Sequence, residues 1–450
     1  MIQTVRNAWA VPELRKKILF TIFALLIFRL GAAIPVPYIN SEGLAQHLAS
    51  QSGTILGLMN AMSGSAFAMA TVFALSIQPY INSSIIIQLL TVAIPALERL
   101  AKEGGEEGRK KIASITRYAT VIIALIQGFG YYSLIKSYGL IDTEGMNAVW
   151  VGIVIVLSFT AGSAFLMWLG EQITEFGIGN GISIILFAGI VSRMPQMIGD
   201  MITGVTYYAN PLTEEAKESL GAAYVAQYEA LALNPLMIPV IILGALALVV
   251  FIVFISNAER RLPVQYAKRM VGRKMYGGQS THIPMKVNMS GVMPIIFAQS
   301  IASLPATIGA FAGWNVDNSA MMRLFDTSKP FYSIMYFFLI VGFSYFYAGM
   351  TFNPVEVANN LKKNGGFIPG FRPGKPTADF ITKVLNKITM FGALYLSVIA
   401  ILPIITGNIF GYSSLAIGGT SVIIVVGVAL ETVKQMEAQM LMRHYKGFLE

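Results

Sequence analysis

Ten apolar stretches alternate with polar and charged segments along the chain, and most of them are long enough to cross a bilayer as a helix. They run approximately over Ile18–Ile34, Met69–Ile94, Ile115–Ile135, Ala148–Gly170, Gly181–Val191, Leu236–Ser256, Asn288–Ala312, Phe331–Phe352, Ile388–Ile405 and Ala416–Leu430. The fifth and tenth stretches are short, so we expect them to extend into the flanking residues. The pattern predicts an all-α polytopic membrane protein with ten transmembrane helices.

The longest external stretch, Asp200 to Asn234, divides the spans into two sets of five. We therefore predict an N-terminal half at 1–199, an external hinge segment at 200–235, a C-terminal half at 236–437 and a tail at 438–450. Because five is odd, two halves of one fold would run through the membrane in opposite directions. The expected site lies between them, near the membrane midplane.

The apolar segment from Gly53 to Pro95 consists of two unequal parts. The first, Ile55–Phe67, would be about 20 Å long as a helix, against a hydrocarbon core of about 30 Å. The second carries a polar stripe that includes Asn82 and Gln88. Short or irregular backbone at membrane depth needs protein or a water-filled cavity around it, which favours a re-entrant piece inside a pore. An external loop before an ordinary helix is the alternative.

Composition places the chain in a membrane and limits its chemistry. Hydrophobic residues make up 55% of the chain, charged residues 12%, and the mean hydropathy is +0.64. Cysteine is absent and the three histidines are far apart in sequence, so we predict no disulfide, metal or other cofactor. Most of the 32 Lys and Arg fall on one side if the N-terminus is cytoplasmic, which predicts that both termini are cytoplasmic.

The spans contain no Asp, Glu or His, and Arg29 is their one charged residue, which we interpret as a membrane-edge anchor. Ion-coupled transporters normally place such groups in their spans, so a carrier is disfavoured, although backbone carbonyls could hold Na⁺. No span supplies a catalytic set, so we predict that the protein is not an enzyme. A passive pathway with an apolar barrier remains. Ile77 and Ile81 share one helical face and could form it, although core packing is the commoner meaning of such a pair.

Two long loops, Glu259–Lys286 and Asn353–Lys387, carry much of the remaining basic charge. Both also contain Gly, Pro and aromatic residues, which charge-directed insertion alone would not require. This favours docking surfaces for a large anionic or acidic cytoplasmic partner over charge that only sets the orientation.

Motifs along the whole chain resemble the SecY family, the channel subunits of the bacterial Sec protein translocase. They occur in order at Phe73–Leu75, Pro79–Ile81, Ile85–Leu90, Trp168–Glu175, Gly177–Ser183, Gln279–Pro284, Lys286–Asn288, Phe352–Pro354, Asn360–Lys363, Pro369–Gly374 and Gly418–Ser421. The resemblance implies two pseudo-symmetric, inverted five-helix halves around a central hourglass pore, with a re-entrant plug helix at about 55–65.

The resemblance also implies roles for individual residues. The pore ring would consist of Ile77, Ile81, Leu186, Ile296 and Ile424, where Leu186 replaces the isoleucine of some members. The plug would include Ile55, Leu58, Met59, Met62 and Ser65. We place Asn82, Asn180 and Gln299 at a lateral gate between the second and third spans and the seventh and eighth; Gln299 has no clear family counterpart. Docking would use Arg273, Lys274, Arg372, Lys362 and Lys363.

The function implied is a protein-conducting channel in the bacterial cytoplasmic membrane. It would pass unfolded preproteins and release hydrophobic segments into lipid through the lateral gate. No ATP site is visible, so a SecA motor or a docked ribosome would drive transport, the latter through contacts of the basic loops with ribosomal RNA. SecE and SecG would be the membrane partners, and a signal sequence would engage the gate.

Overall fold

The computed structural model describes most of the chain. The described residues are 2–49, 55–143, 145–211, 234–266, 269–271, 274–276, 280–289, 291–312, 324–325, 329–410 and 413–446.

The fold consists of long helices and two small sheets. In chain order the helices are α1 Ile2–Ala10, α2 Pro12–Gly31, α3 Ser41–Ala49, α4 Ile55–Ser63, α5 Gln78–Ala93, α6 Pro95–Lys102, α7 Gly105–Ser137, α8 Ala148–Phe176, α9 Gly181–Ser192, α10 Met194–Ala209, α11 Met237–Asn257, α12 Met293–Phe311, α13 Pro330–Thr351, α14 Pro354–Lys363, α15 Lys375–Phe410 and α16 Ser413–Lys446. The strands are β1 Glu259–Tyr266, β2 Arg269–Val271, β3 Lys274–Tyr276, β4 Ser280–Lys286 and β5 Gly366–Phe367.

Within the described residues, seven helical spans are long and apolar enough to cross a membrane. There are eight if α5 and the start of α6, which meet at a 105° bend, form one span. The predicted class, a helical polytopic membrane protein, is confirmed. Two further helices, α2 with 20 residues and α16 with 34, would complete a set of ten. The count of ten itself stays a prediction, as do the inverted relation of the halves and their boundaries.

Several helices extend beyond the predicted spans, and two spans differ for a reason that the backbone shows. The second begins as helix only at Gln78, because Ala70 and Ser76 adopt positive φ values that interrupt a right-handed helix. The fifth continues through α10 to Ala209, farther than expected. Pro195 lies in the first turn of α10, where a missing N–H is tolerated, so the helix resumes there. Part of the predicted hinge segment is therefore helical, and residues 212–233 lie outside the described range.

The sequence did not predict the sheets. Strand β1 pairs antiparallel with β4, from Glu259 opposite Lys286 to Gln265 opposite Ser280, and β5 pairs with the other edge of β1. The two basic loops therefore share one three-stranded sheet. A separate apolar cluster holds this sheet against α14 and α15, with Leu262, Met285 and Ile381 among its buried residues. The loops form one folded unit, which positions their charges.

Candidate functional site: a plug helix beside an apolar ring

The five residues of the predicted ring are all buried. Their side chains are at most 2% exposed, and all belong to one hydrophobic cluster: Ile77, Ile81, Leu186, Ile296 and Ile424. They come from four separate parts of the fold, since Ile77 caps α5, Ile81 lies in it, and the others lie in α9, α12 and α16. None of them faces outward, where lipid would be.

The short helix α4 packs beside this ring. It contacts α9, α12 and α16, which are the helices that carry Leu186, Ile296 and Ile424. Nine residues correspond to about 14 Å of helix, less than half of a membrane core. Its residues Leu56 and Met62 are buried in the same cluster as the ring. The re-entrant interpretation of this segment therefore agrees with the structure better than an external loop does.

Each described plug residue contacts a different wall. Met62 packs into the ring's cluster. The Met59 sulfur accepts a long hydrogen bond of 3.9 Å from the Thr307 hydroxyl of α12. The Ser65 hydroxyl donates to Gln196 Oε1 of α10 at 3.1 Å. Ile55 and Leu58 lie in α4, and their side chains are outside the described part of the structure.

Polar contacts that the sequence did not predict fix the end of α4. The Ser65 N–H donates to the Asn60 carbonyl at 3.1 Å across Gly64, whose φ of 68° is the left-handed conformation common at helix ends. The Asn60 side chain accepts from the Ala68 N–H at 3.0 Å. The buried Tyr131 of α7 donates its hydroxyl proton to the Phe67 carbonyl. The Tyr131 contact joins positions 64 residues apart, so no local pattern signals it.

A seam runs between α5 and α7 on one side and α12 and α13 on the other, where the lateral gate was predicted. Two side-chain hydrogen bonds cross it. Gln78 Nε2 donates to Ser300 Oγ at 3.3 Å, and the Tyr347 hydroxyl donates to Gln88 Oε1 at 2.8 Å. The polar stripe of the second span signalled Gln88, but not its partner.

The three predicted gate residues behave differently from one another. Asn180 caps α9, since its Oδ1 accepts from the N–H groups of Ile182 at 3.1 Å and Ser183 at 3.4 Å. Its hydrogen bonds are local and do not cross the seam. Asn82 and Gln299 are each 4% exposed, and their side-chain oxygens accept no hydrogen bond from the described part of the protein.

The predicted docking residues that the structure describes lie outside the shared sheet, in α14, in the turn after β5 and in the separate β2–β3 sheet. Lys362 and Lys363 are exposed in the last turn of α14. Arg372 is exposed between Gly370 and Gly374, both at positive φ, and its carbonyl accepts from the Thr377 hydroxyl at 2.7 Å. This turn is held by side-chain and backbone contacts. Lys274 lies in β3 with its side chain outside the described structure, and Arg273 lies outside the described residues altogether.

Among the described residues, no group of three or more His, Asp or Glu side chains could hold a metal ion. The arrangement contains a short buried helix, five buried aliphatic residues in one cluster, a polar seam between helices and an exposed basic surface. Fold and site together define a polytopic membrane channel with a short helix packed inside it.

Comparison with known proteins identifies the family. The SecY family model matches residues 71–433, and this chain belongs to the SecY family. It is 42% identical over 461 residues to a protein translocase subunit SecY of Streptomyces galbus, and 42% identical over 460 residues to that of Bacillus subtilis. Each alignment covers 100% of both chains.

Solved structures support the same fold. A protein-conducting channel has a TM-score of 0.62 at 17% identity, over 95% of this chain and 92% of the other. A SecY channel whose plug domain stabilises the closed state has a TM-score of 0.61 at 16% identity over the same shares. Sec61 from a canine ribosome-channel complex has a TM-score of 0.58 at 16% identity, again over 95% and 92%.

Proposed function

We propose that this chain is the channel subunit of a bacterial protein translocase. It passes unfolded preproteins across the cytoplasmic membrane and releases hydrophobic segments sideways into lipid. The observation that carries the proposal is that the plug helix contacts the three helices bearing Leu186, Ile296 and Ile424. A short helix beside a ring of aliphatic side chains is suited to open for a chain and close after it.

The ring's chemistry suits a substrate of variable sequence. Aliphatic side chains exclude water and ions when they meet, and they offer no hydrogen bonds that would retain a passing polypeptide. Hydrophobic contact is non-directional, so the ring adapts to different side chains.

Polar substitution in the ring tests this role. We expect Ile81→Ser combined with Ile424→Ser to raise the resting ion conductance of planar bilayers containing the complex. The matched control is Ile86→Ser, since Ile86 lies on the same helix but is 43% exposed. Unchanged conductance in the double variant would contradict the ring assignment.

The competing function is a small-solute carrier. A photocrosslinker at Ile81 separates the two functions, because a conduit brings a stalled preprotein against the ring. We expect a crosslink to the preprotein in the presence of a translocation motor and none without it. A ring that never crosslinks to preprotein would favour the carrier.

We infer that the seam that separates α5 and α7 from α12 and α13 is the lateral gate. Buried oxygens without partners cost about 1–3 kcal/mol each, so Asn82 and Gln299 favour a state in which water or a polypeptide reaches them. Tyr347→Phe removes the bond to Gln88 and should promote export of substrates with weak signal sequences. Tyr118→Phe, at a tyrosine 74% exposed, is the control. Equal export by both variants would argue against a gate at this seam.

We infer that the basic surface binds the motor SecA through Arg372, with Lys362 and Lys363 beside it. The exposure of Arg372 on a constrained turn supports this. Charge reversal, Arg372→Glu, should stall SecA-driven transport while the channel still assembles. Arg109→Glu, at an exposed cation of α7, is the control. Transport at the unaltered rate would refute the assignment.

Ribosome docking by the same surface would add contacts to phosphate groups. The canine Sec61 structure is that of a ribosome-channel complex. We infer that Arg273 and Lys274 contribute here, which predicts binding that weakens steeply with salt. A salt titration with purified ribosomes checks this.

We infer that SecE and SecG are the membrane partners, that a signal sequence enters at the gate and that both termini are cytoplasmic. The chain lacks cysteine, so a single cysteine placed at Thr4 reports its side of the membrane. Labelling that needs the membrane to be permeabilised, so that the reagent reaches the cytoplasmic side, would support a cytoplasmic N-terminus. Labelling by a reagent added outside an intact membrane would overturn it.

A further inference from the structure

The end of the plug helix lies beside an arginine that the sequence placed at the membrane edge. Arg29 is in the last turn of α2. Its Nη1 donates to the Ser192 hydroxyl at 3.0 Å and to the Gly64 carbonyl at 3.5 Å, the long limit of a hydrogen bond. One side chain therefore joins α2, the end of α9 and the first residue after α4.

Two helix C-termini, those of α2 and α4, and the break between α9 and α10 meet at this guanidinium. Arg29 occupies the last turn of α2, Ser192 is the last residue of α9, and Gly64 follows the last residue of α4. A helix C-terminus carries a partial negative charge and carbonyls without partners inside the helix. A fixed cation between such ends offsets their mutual repulsion and binds their oxygens. Both oxygens that Arg29 binds in the described structure are groups at helix ends.

The backbone approach at the same point is very close. A Cβ at Gly64 would lie 2.8 Å from the Gly189 carbonyl and 2.7 Å from the Ser192 hydroxyl. A Cβ at Gly189 would lie 2.7 Å from the Met62 carbonyl. The Ser192 hydroxyl in turn donates to the Gly189 carbonyl at 2.7 Å. The end of the plug is therefore seated directly on α9, with Arg29 at the edge of the contact.

We propose that Arg29 and Ser192 form a latch that holds the plug in its closed position. When the plug moves, the Gly64 carbonyl leaves the guanidinium and the ends of α4 and α9 separate. Arg29 is a positioning residue, because it acts on the plug and does not line the ring. The proposal rests on the channel function proposed above and adds a specific closing contact to it.

Two readouts on the reconstituted complex test the latch. The first is resting ion conductance without preprotein. The second is the maleimide labelling rate of Ala61→Cys, a buried plug position that is the single thiol of an otherwise cysteine-free chain. We expect Arg29→Gln to raise both by about tenfold, since charge interactions at two helix ends are lost. Arg29→Lys keeps the positive charge but loses the planar guanidinium group, so it should raise both readouts by less.

The matched control is Lys136→Gln. Lys136 is likewise a cation in the last turn of a long apolar helix, α7, and the described structure shows no contact between it and the plug. Lys136→Gln should leave the resting conductance and the labelling rate at their wild-type values. If Arg29→Gln fails to assemble, Ser192→Ala tests the latch instead. We expect it to raise both the conductance and the labelling rate by about threefold.

The outcomes separate the two proposals. A wild-type complex that transports no preprotein refutes the channel function. A wild-type complex that transports, with both Arg29→Gln and Ser192→Ala sealed and labelled at the wild-type rate, refutes the latch and leaves the channel standing. Equal rises in Arg29→Gln and Lys136→Gln would also refute it, because they would reflect a general loss of positive charge.

Discussion

The plug contacts the two sides of the channel through different chemistry. Toward the residues before position 200 it makes directed polar contacts, through Arg29 and Gln196, and Tyr131 binds the Phe67 carbonyl just after it. Toward the residues after 236, its described contacts are apolar packing and the single long bond between Thr307 and Met59. Directed hydrogen bonds fix a position, whereas apolar packing tolerates sliding. The residues before position 200, the first side, therefore fix the position of the plug. The residues after 236, the second side, only pack against it.

This difference suggests how the two sides contribute to opening of the channel. The second side carries Ile296 and Ile424 and one wall of the gate seam. It can move away from the plug without breaking a strong hydrogen bond. Under the proposed function, release of the plug requires the contacts to the first side to break, so we expect these contacts to control closure.

The largest effect should come from making the first-side contact permanent. Ser65→Cys with Gln196→Cys, joined by a short bismaleimide, replaces the 3.1 Å hydrogen bond with a covalent link. We expect preprotein transport into vesicles to fall to near background. Each single-cysteine variant treated with the same reagent is the control. Full transport by the linked protein would show that the plug need not leave α10.

A steric change at the same side should favour the open state. Gly189→Ala places a Cβ 2.7 Å from the Met62 carbonyl, so the backbone of the plug must shift. We expect the closed state to lose about 1–3 kcal/mol, the usual range for overpacking, and resting conductance to rise accordingly. Gly199→Ala is the control, since its added Cβ would meet nothing within 4 Å. A sealed Gly189→Ala channel would mean that the plug is not seated on α9.

Removing one hydrogen bond on the first side should have an intermediate effect. Tyr131→Phe removes one of two donors to the buried Phe67 carbonyl, which keeps its bond from the Ala70 N–H at 3.1 Å, so we expect a cost of about 0.5–1.5 kcal/mol. The stacked ring contact with Phe67, at a centroid separation of 4.4 Å, is kept, so the effect should be near the lower end. The labelling rate of a plug cysteine measures it. An unchanged rate would place the bond outside the closing mechanism.

Much of this fold could be predicted from hydropathy, because a bilayer requires long apolar helices with every backbone group bonded internally. The short segment at 55–67 stood out for the same reason. The start of α5 was misplaced because the positive φ values of Ala70 and Ser76 leave no trace in an apolar pattern. The sheet joining the two basic loops was missed because β1 and β4 are highly polar and β5 has two residues and is separated from β1 in the chain by several helices.

The candidate site could likewise be predicted only in part. The ring positions followed from family motifs, and all five are buried in one cluster. The polar contacts of the plug were not predictable, since Arg29 and Ser192 are 163 positions apart and neither belongs to a local pattern. Asn180 shows the opposite case. Its position before α9 is a typical helix-capping signal, yet the family context drew attention to the gate instead.

The smallest effect should come from the second side. Thr307→Val removes the hydroxyl that donates to the Met59 sulfur, an acceptor too weak and distant at 3.9 Å to contribute much. The side-chain volume is nearly kept, although the hydroxyl also donates to the Ser303 carbonyl at 2.8 Å within α12. We expect a change below about 0.5 kcal/mol in the closed state, smaller than that from Tyr131→Phe. Plug labelling in the two variants, measured side by side, checks the order. If Thr307→Val releases the plug more than Tyr131→Phe does, closure is controlled from the second side and the asymmetry is reversed.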